Sequence, residues 1–237
     1  MLSSAVTDGY TLKLVGKLER KLYEKTNKVL VLAGGKWNRY AQVHMFQDEA
    51  VDAIEQIILT GEIIGKKQEL QQFYSPKPVV DCLIEKAGIE SDMTVLEPNV
   101  GRGAILLEAA KHGALVSGYE IDPANIAYLS QFPEAQSVQQ ADFLSVDPTP
   151  TFDRVVMNPP FTRRADIKHV MHAFRFLRPG GRLVAVMSRS TLYRKDRLTT
   201  EFNTFLAEHN GRYEALPENA FKVSGTSVNT TIVVMVK

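Results

Sequence analysis

Residues 157–161 read Met157, Asn158, Pro159, Pro160, Phe161, directly after the run FDRVV. The run alternates toward apolar residues and predicts a β-strand. Proline has no backbone N–H and cannot continue a central ladder. It also fixes its own φ and biases the residue before it toward extended geometry. The stretch therefore ends the strand and holds the carbonyls of Asn158 and Pro159 in a rigid turn. Such a corner suits chemistry that needs fixed hydrogen-bond acceptors beside an aromatic ring. The plain alternative is a turn made of two common turn formers.

Other strand candidates also end in residues with chemical use. The first is followed by Glu97, Pro98, Asn99, Val100, Gly101, Arg102 and Gly103. Its two glycines let backbone approach a ligand ahead of a helix start. The loop is neither a full dinucleotide fingerprint nor a phosphate loop, since no Gly-Lys-Ser/Thr follows. The second strand ends at Glu120, Ile121 and Asp122, where a ribose diol is held in nucleotide-binding sheets. The third ends at Asp142 and Phe143. Each of these alone reads equally well as a turn or a helix cap. Four successive strand ends with suitable groups describe a pocket for a nucleoside-containing cofactor.

The elements that position these residues alternate from residue 75 onward. Helix candidates PKPVVDCLIEKAG, GAILLEAAKHG, PANIAYLSQF and DIKHVMHAFRFLRPGG alternate with strand candidates MTVLEP, ALVSGYEID, AQSVQQADF, FDRVVMN and RLVAVMS. A helix around 196–208 precedes YEALP and TTIVVMV. The pattern implies an α/β domain with a largely parallel sheet covered on both faces. The last two strands are too close for a helical crossover, so an antiparallel hairpin is expected at one edge. Ser75 and Pro76 read as N-cap and first turn of their helix, and Pro-Gly-Gly at 179–181 as a helix stop. Residues 1–70 read as a separate appendage. There Leu14, Leu18 and Leu22 have helical spacing, KVLVLAG is a strand candidate, and DEAVDAIEQIILTGEI is a helix capped by Asp48.

The chain of 237 residues is long enough for a normal core. No apolar run approaches membrane-spanning length, and the start MLSSAVTDGY lacks the layout of a signal peptide. Cys82 is the single cysteine, which leaves no intramolecular disulfide and no cysteine metal site, and suits a cytoplasmic protein. Net charge is +1, unevenly distributed. Residues 163–197 hold ten basic and two acidic residues, net +8, which leaves −7 for the rest. A basic strip beginning just after the Asn-Pro-Pro-Phe corner is a footprint for a polyanion, or else a set of solvated helix faces.

Residues 71–237 resemble class I S-adenosylmethionine-dependent methyltransferases of the amino-methylating branch, in particular DNA adenine methyltransferases. The similarity rests on QQFYSP, VLEPNVGRG, YEID, ADF and NPPF in family order, then FLRPGGRLVAVMS and the closing FKVSGTSVNTTIVVMV. GGKWNRYAQVHMF is similar to a segment upstream of the motifs in enzymes of phages and mobile elements, a less specific match. The resemblance implies a Rossmann-like, mostly parallel seven-stranded sheet with an antiparallel edge hairpin, to which residues 1–70 add a small N-terminal α/β appendage. It implies S-adenosyl-L-methionine as cofactor and no metal. Phe73, Tyr74 and Ser75 would line the methionine end. Glu97 would contact the amino group or order the loop of Asn99, Gly101 and Gly103. Glu120 would hold the ribose, Ile121 would pack on the adenine, and Asp142 and Phe143 would meet the adenine's amino edge. The Asn158 oxygen and the Pro159 carbonyl would accept hydrogen bonds from an exocyclic amine, in a corner stiffened by Pro160. Phe161 would stack on a base that has left its helix. Arg163, Arg164, Arg189, Arg194, Lys195 and Arg197 would follow phosphates of duplex DNA, or of RNA.

The chain departs from the family at Ser75, where Thr is commoner, and at Asn99 and Val100, where smaller residues are usual. No separate target-recognition domain is expected within these residues. The reader is then the N-terminal 70 residues, with Trp37, Arg39, Tyr40 and His44 as candidates, or a partner subunit or second copy; otherwise specificity is low. The same appendage reads more readily as a packed cap. Rival acceptors are adenine or guanine in RNA and a protein glutamine, and a rival of another class is a non-catalytic binding module. His169 and His172 have no role assigned by sequence.

Overall fold

The computed structural model describes residues 2, 5–16, 19–47, 49–51, 53–54, 57, 75–216 and 230–237. The chain divides into two compact units, one chiefly of residues 1–71 and one of residues 72–225 and 229–237.

The first unit is a four-stranded antiparallel sheet with a helix. Strands β1 (Val6–Asp8), β2 (Thr11–Lys13), β3 (Lys36–Asn38) and β4 (Val43–Met45) run in the order β1-β2-β4-β3. Helix α1 (Arg20–Leu32) lies between β2 and β3 in sequence, and Leu12, Leu30, Phe46, Ala50 and Ile54 form the core. Two sequence expectations are corrected here. The KVLVLAG strand is the end of α1, and the helix expected from Leu14 begins only at Arg20. The reason is periodicity: Leu30 is buried while Val31 and Leu32 are exposed, so only a helical stripe finds a core. Gly34, at φ +91°, and Gly35, whose N–H donates to the Leu30 carbonyl at 2.8 Å, end it. Residues 50–51, 53–54 and 57 are helical, and the expected cap Asp48 lies outside the described residues, as does Leu18.

The second unit is built on a seven-stranded sheet. Its strands are β5 (Thr94–Glu97), β6 (Leu115–Glu120), β7 (Val138–Gln140), β8 (Phe152–Met157), β9 (Leu177–Ser188), β10 (Arg212–Glu214) and β11 (Thr230–Val236). Their order is β10-β11-β9-β8-β5-β6-β7. Strands β5 to β9 pair in parallel, and β11 is antiparallel to both β9 and β10, the expected edge hairpin. Helices α2 (Lys77–Ala87), α3 (Ala104–Lys111), α4 (Pro123–Leu129), α5 (Ala165–Phe174) and α6 (Arg197–Glu208) complete the unit. Val155, Val156, Met157, Val184, Ala185, Val186, Ile232, Val233 and Val234 are all buried, as strands covered on both faces require. The order reverses between β5 and β8, and the crevice beyond their carboxyl ends is where open α/β sheets bind ligands.

Pro-Gly-Gly at 179–181 does not stop α5, which ends at Phe174; it is a bend inside β9. Phe176 and Leu177 are buried, and Leu177 already pairs with Phe152 of β8, so sheet pairing takes the chain before the stop signal acts. Gly180, at φ +79°, donates to the Lys237 carbonyl at 2.6 Å.

Candidate active site

The loop after β5 is held from both sides. Gly101 and Gly103 take positive φ, +56° and +81°, and Gly103 leads directly into α3. Glu97 is buried and accepts from the Leu106 N–H at 2.7 Å, which ties the strand end to the first turn of that helix. Burial pushes the Glu97 carboxyl well above the usual carboxylate range, and the nearby charge of Glu120 pushes the same way. Glu120, at the end of β6, accepts from the Gly101 N–H at 2.6 Å and the Asp122 N–H at 2.7 Å. The turn after β6 presents Ile121, 52% exposed, beside it. Asp142 is exposed and accepts from the Leu144 N–H at 3.0 Å with one oxygen.

The two departures in this loop have physical partners. Asn99 Oδ1 lies 3.1 Å from His169 Nδ1 on α5, so the loop is tied to the helix that follows the Asn-Pro-Pro-Phe corner. An N–H donated to that oxygen places the proton on Nδ1. Burial holds the His169 imidazole down at about 4, so it is neutral near pH 7. Val100 packs over Gly118 of β6. A Cβ at Gly118 would overlap Val100 Cγ2 and sit 2.9 Å from the Glu97 carbonyl oxygen. Bulk added in the loop is matched by bulk removed from the neighbouring strand.

The acceptor side begins at the end of β8. Asn158 Nδ2 donates to Ser75 Oγ at 3.1 Å. Ser75 is therefore not the expected helix cap; that position belongs to Pro76, with no side-chain cap bond, and the Ser75 hydroxyl orients Asn158 instead. With Nδ2 occupied, the amide presents its oxygen as an acceptor. Pro159 is buried beneath it and Pro160 is exposed. Phe161 is 7% exposed, so its ring is packed inside the protein rather than displayed. A base stacking on it must displace what covers it.

The backbone after the corner is held by force. Arg163 and Arg164 both adopt left-handed geometry, φ +53° and +55°, at a cost of about 1 kcal/mol each for residues with a Cβ. Arg164 pairs with Asp196, and Arg194 reaches the same carboxylate at 3.3 Å. Asp196 also caps α6, accepting from the Thr199 N–H at 3.1 Å and the Thr199 hydroxyl at 2.8 Å. Burial alone would raise its carboxyl, but these hydrogen bonds and the two guanidiniums hold it below the ordinary value. Asp166, buried in the first turn of α5, accepts from the Ser188 N–H at 3.0 Å and ties the corner to the end of β9.

Residues 82–216 match the family model described as the methyltransferase small domain. The chain belongs to that family. This methyltransferase has the class I Rossmann-like fold and uses S-adenosyl-L-methionine. The donor set fits that group: Glu97 has no basic partner among the described residues, and the cofactor carries an ammonium and a sulfonium. Glu120 accepts from the Gly101 and Asp122 N–H groups at the strand end where nucleotide-binding sheets hold a ribose. Ile121 offers an apolar face.

Among curated proteins, the chain is 32% identical over 100 residues to Type II methyltransferase M.CvrRI of Paramecium bursaria Chlorella virus XZ-6E, covering 41% of this chain and 26% of the viral protein. It is 30% identical over 115 residues to Ribosomal RNA small subunit methyltransferase A of Thermotoga neapolitana, covering 47% and 44%. The chain thus spans less than half the length of these relatives. A crystal structure of a type I restriction-modification system methyltransferase subunit from Streptococcus thermophilus matches with TM-score 0.57 at 21% identity, over 69% of this chain and 44% of that one.

Glu97, Asn99, Gly101, Gly103, Glu120, Ile121, Asp142 and Asn158 all fall at the strand ends of the second unit or in the turns beside them, and Ser75, just before α2, joins them through its hydrogen bond to Asn158. Phe73 and Tyr74 lie outside the described residues. Phe143 is buried in the core beside Phe176 and His172, with ring centroids 5.1 and 4.9 Å away, so it supports the pocket floor from within. Arg163, Arg189, Lys195 and Arg197 are exposed, with Arg197 paired to Glu201 at 2.7 Å. Arg164 and Arg194 are only 13% and 12% exposed and face Asp196, which turns two expected phosphate contacts into internal braces. Asp196, Asp166 and Gly118 were not among the residues expected from sequence, and His169 was named there without a role. The single acids inside a basic strip were the one signal that could have found Asp166 and Asp196. Among the described residues, no cluster of His, Cys, Asp and Glu could hold a metal, and no helix is long and apolar enough to cross a membrane.

Proposed function

We propose that this methyltransferase transfers a methyl group from S-adenosylmethionine to the exocyclic N6 amine of adenine in DNA, in the cytoplasm. The observation that carries the reading is the Asn158–Pro159 corner, locked to Ser75 beside the carboxylate-lined loop after β5. S-adenosylmethionine would supply an electrophilic methyl on a sulfonium, whose C–S bonding pair would stay on sulfur. An aromatic amine is flat and a poor nucleophile because its lone pair is delocalised into the ring. The Asn158 oxygen and the Pro159 carbonyl accept its two N–H groups from outside the ring plane. That draws nitrogen toward tetrahedral geometry and frees the lone pair for the methyl carbon. The proton then passes to water. Rate arises from orientation and preorganised dipoles. The target base must leave a duplex to reach the corner.

Glu97, Asn99, Gly101, Gly103, Glu120, Ile121 and Asp142 hold the cofactor in this reading, together with Phe73, Tyr74 and Ser75. Phe143 backs them from the core. Arg163, Arg189, Lys195 and Arg197 give non-specific phosphate affinity. A second reading, adenine in RNA, is favoured by the similarity to a protein named as a ribosomal RNA methyltransferase.

Labelled S-adenosylmethionine incubated with unmethylated duplex DNA and, in parallel, with unmodified RNA separates the two. Nucleoside mass spectrometry should show 6-methyladenine from DNA, lost with Asn158→Ala. Product from RNA alone selects the second reading, and product from neither overturns both.

A further inference from the structure

The first unit is near neutral, residues 1–71 summing to +1, but it contains a basic stretch. Residues 9–47 hold eight basic and two acidic residues, net +6. Lys13, Lys36 and Arg39 are exposed and, among the described residues, make no ion pair. Around them stand Tyr10 and Trp37, both solvent-exposed, and Tyr40, which is 99% exposed. Arg39 and Tyr40, adjacent and exposed on one turn, with Lys36 and Lys13 exposed on β3 and β2, form an electrostatic and stacking footprint for nucleic acid, while Trp37 lies on the face of His44.

The shape of the feature narrows the partner. Tyr40 sits on the turn, residues 39–42, that joins β3 to β4, and β3 is the edge strand of its sheet. The turn is rigid. Asn38 Oδ1 accepts from the N–H groups of Tyr40 at 3.0 Å and Ala41 at 3.1 Å. Gln42, at φ +55°, donates its side-chain amide to the Arg39 carbonyl at 2.8 Å. One face of the ribbon is anchored: His44 is buried, with Nε2 2.8 Å from Asn27 Oδ1 on α1, and its ring packs 4.9 Å from Trp37. His44 is thus support, not a base reader as the sequence suggested. Lys36 lies on the opposite face, paired with exposed Met45. The anchored ribbon leaves Arg39 and Tyr40 at its tip.

We propose that the β3–β4 hairpin enters the major groove of duplex DNA, with Arg39 and Tyr40 meeting base edges and Lys36 and Lys13 meeting phosphates. A ribbon with three residues per strand is about 10 Å long, against a groove about 8.5 Å deep and 12 Å wide that admits a two-stranded ribbon. Arginine is the commonest reader of guanine edges, and a preordered turn loses little entropy on docking. The deep, narrow major groove of duplex RNA excludes such a ribbon. This inference rests on the nucleic-acid reading of the active site but names a different surface.

The test uses the full chain and fluorescence anisotropy on duplex DNA and duplex RNA of one sequence, over a salt series. The variants are Arg39→Ala with Tyr40→Ala, and Lys36→Ala alone. Cofactor binding and melting temperature serve as folding controls, since the substituted residues are exposed and carry no core contact. The double variant should lose at least about tenfold in DNA affinity, with weak RNA binding unchanged. Lys36→Ala should reduce the salt slope by about one across all sequences. Variants that keep wild-type DNA affinity and methylation sites, while the wild type methylates DNA, overturn the hairpin and leave the catalytic reading standing. Equal loss on DNA and RNA also overturns it. A wild type that binds no duplex DNA overturns the hairpin and the DNA assignment together.

Discussion

Two stretches of this chain are strongly basic, residues 9–47 at net +6 and residues 163–197 at net +8, yet their charges do different work. In the first, Lys13, Lys36 and Arg39 project into solvent with no ion pair among the described residues. In the second, Arg164 and Arg194 turn inward onto Asp196 and hold a strained corner in place. A charge count thus locates basic residues but not their role. One carboxylate converts a surface into a brace.

The brace should break most visibly at Asp196. Asp196→Ala removes a helix cap and leaves two largely buried guanidiniums without their partner. We expect a stability loss of about 3 kcal/mol and a fall in methyl-transfer rate of at least about tenfold, read by thermal unfolding and single-turnover kinetics. Arg39→Ala, measured alongside, should leave the melting temperature unchanged. If both behave alike, the two basic stretches do not differ.

The buried character of the second stretch can be sharpened by pH. His169 lies within it and titrates near 4 when folded, below its ordinary value of 6.5. Between those values the unfolded chain binds a proton that the folded chain refuses. Stability must therefore fall as pH drops from about 6.5 to 4, by about 3 kcal/mol at most. His169→Gln should flatten this part of the profile, seen in denaturant midpoints. Asp196 acts in the same direction at lower pH: its carboxyl is depressed, so its contribution is full above its unfolded value and disappears as pH falls through the folded one.

A smaller effect belongs to the cofactor loop that His169 supports. Gly118→Ala forces a methyl group into Val100 and should cost about 1–3 kcal/mol, with weakened cofactor binding by calorimetry. Gly118→Ala combined with Val100→Ala should recover much of that loss if the two residues are matched in volume. The smallest effect is Arg197→Ala. Its guanidinium lies in solvent beside Glu201, so melting should not change. DNA affinity should drop slightly, with a salt slope lower by about one.

Much of the second unit was legible before any coordinates. Helix and strand alternation from residue 75 implied the parallel sheet, and the closeness of the last two strands implied their antiparallel pairing. The strand-end residues Glu97, Glu120, Asp142 and Asn158 were visible because period-two burial and Gly/Pro punctuation show where strands stop. The first unit was harder. Its elements are short, and VLVL satisfies strand and helix propensity alike until a core selects one stripe.

The sheet, the order of the strand ends and the rigid corner follow from local covalent constraints and hydrophobic period, and the amino-acid order alone carries them. Which groups meet was settled only in the fold. It joined Asn158 to Ser75, 83 residues away, and Asn99 to His169, 70 residues away. It also set Val100 over Gly118 and turned Arg164 onto Asp196. No local pattern encodes such pairings. They arise when packing brings distant chain segments together, removes water from between them and makes each unsatisfied polar group costly.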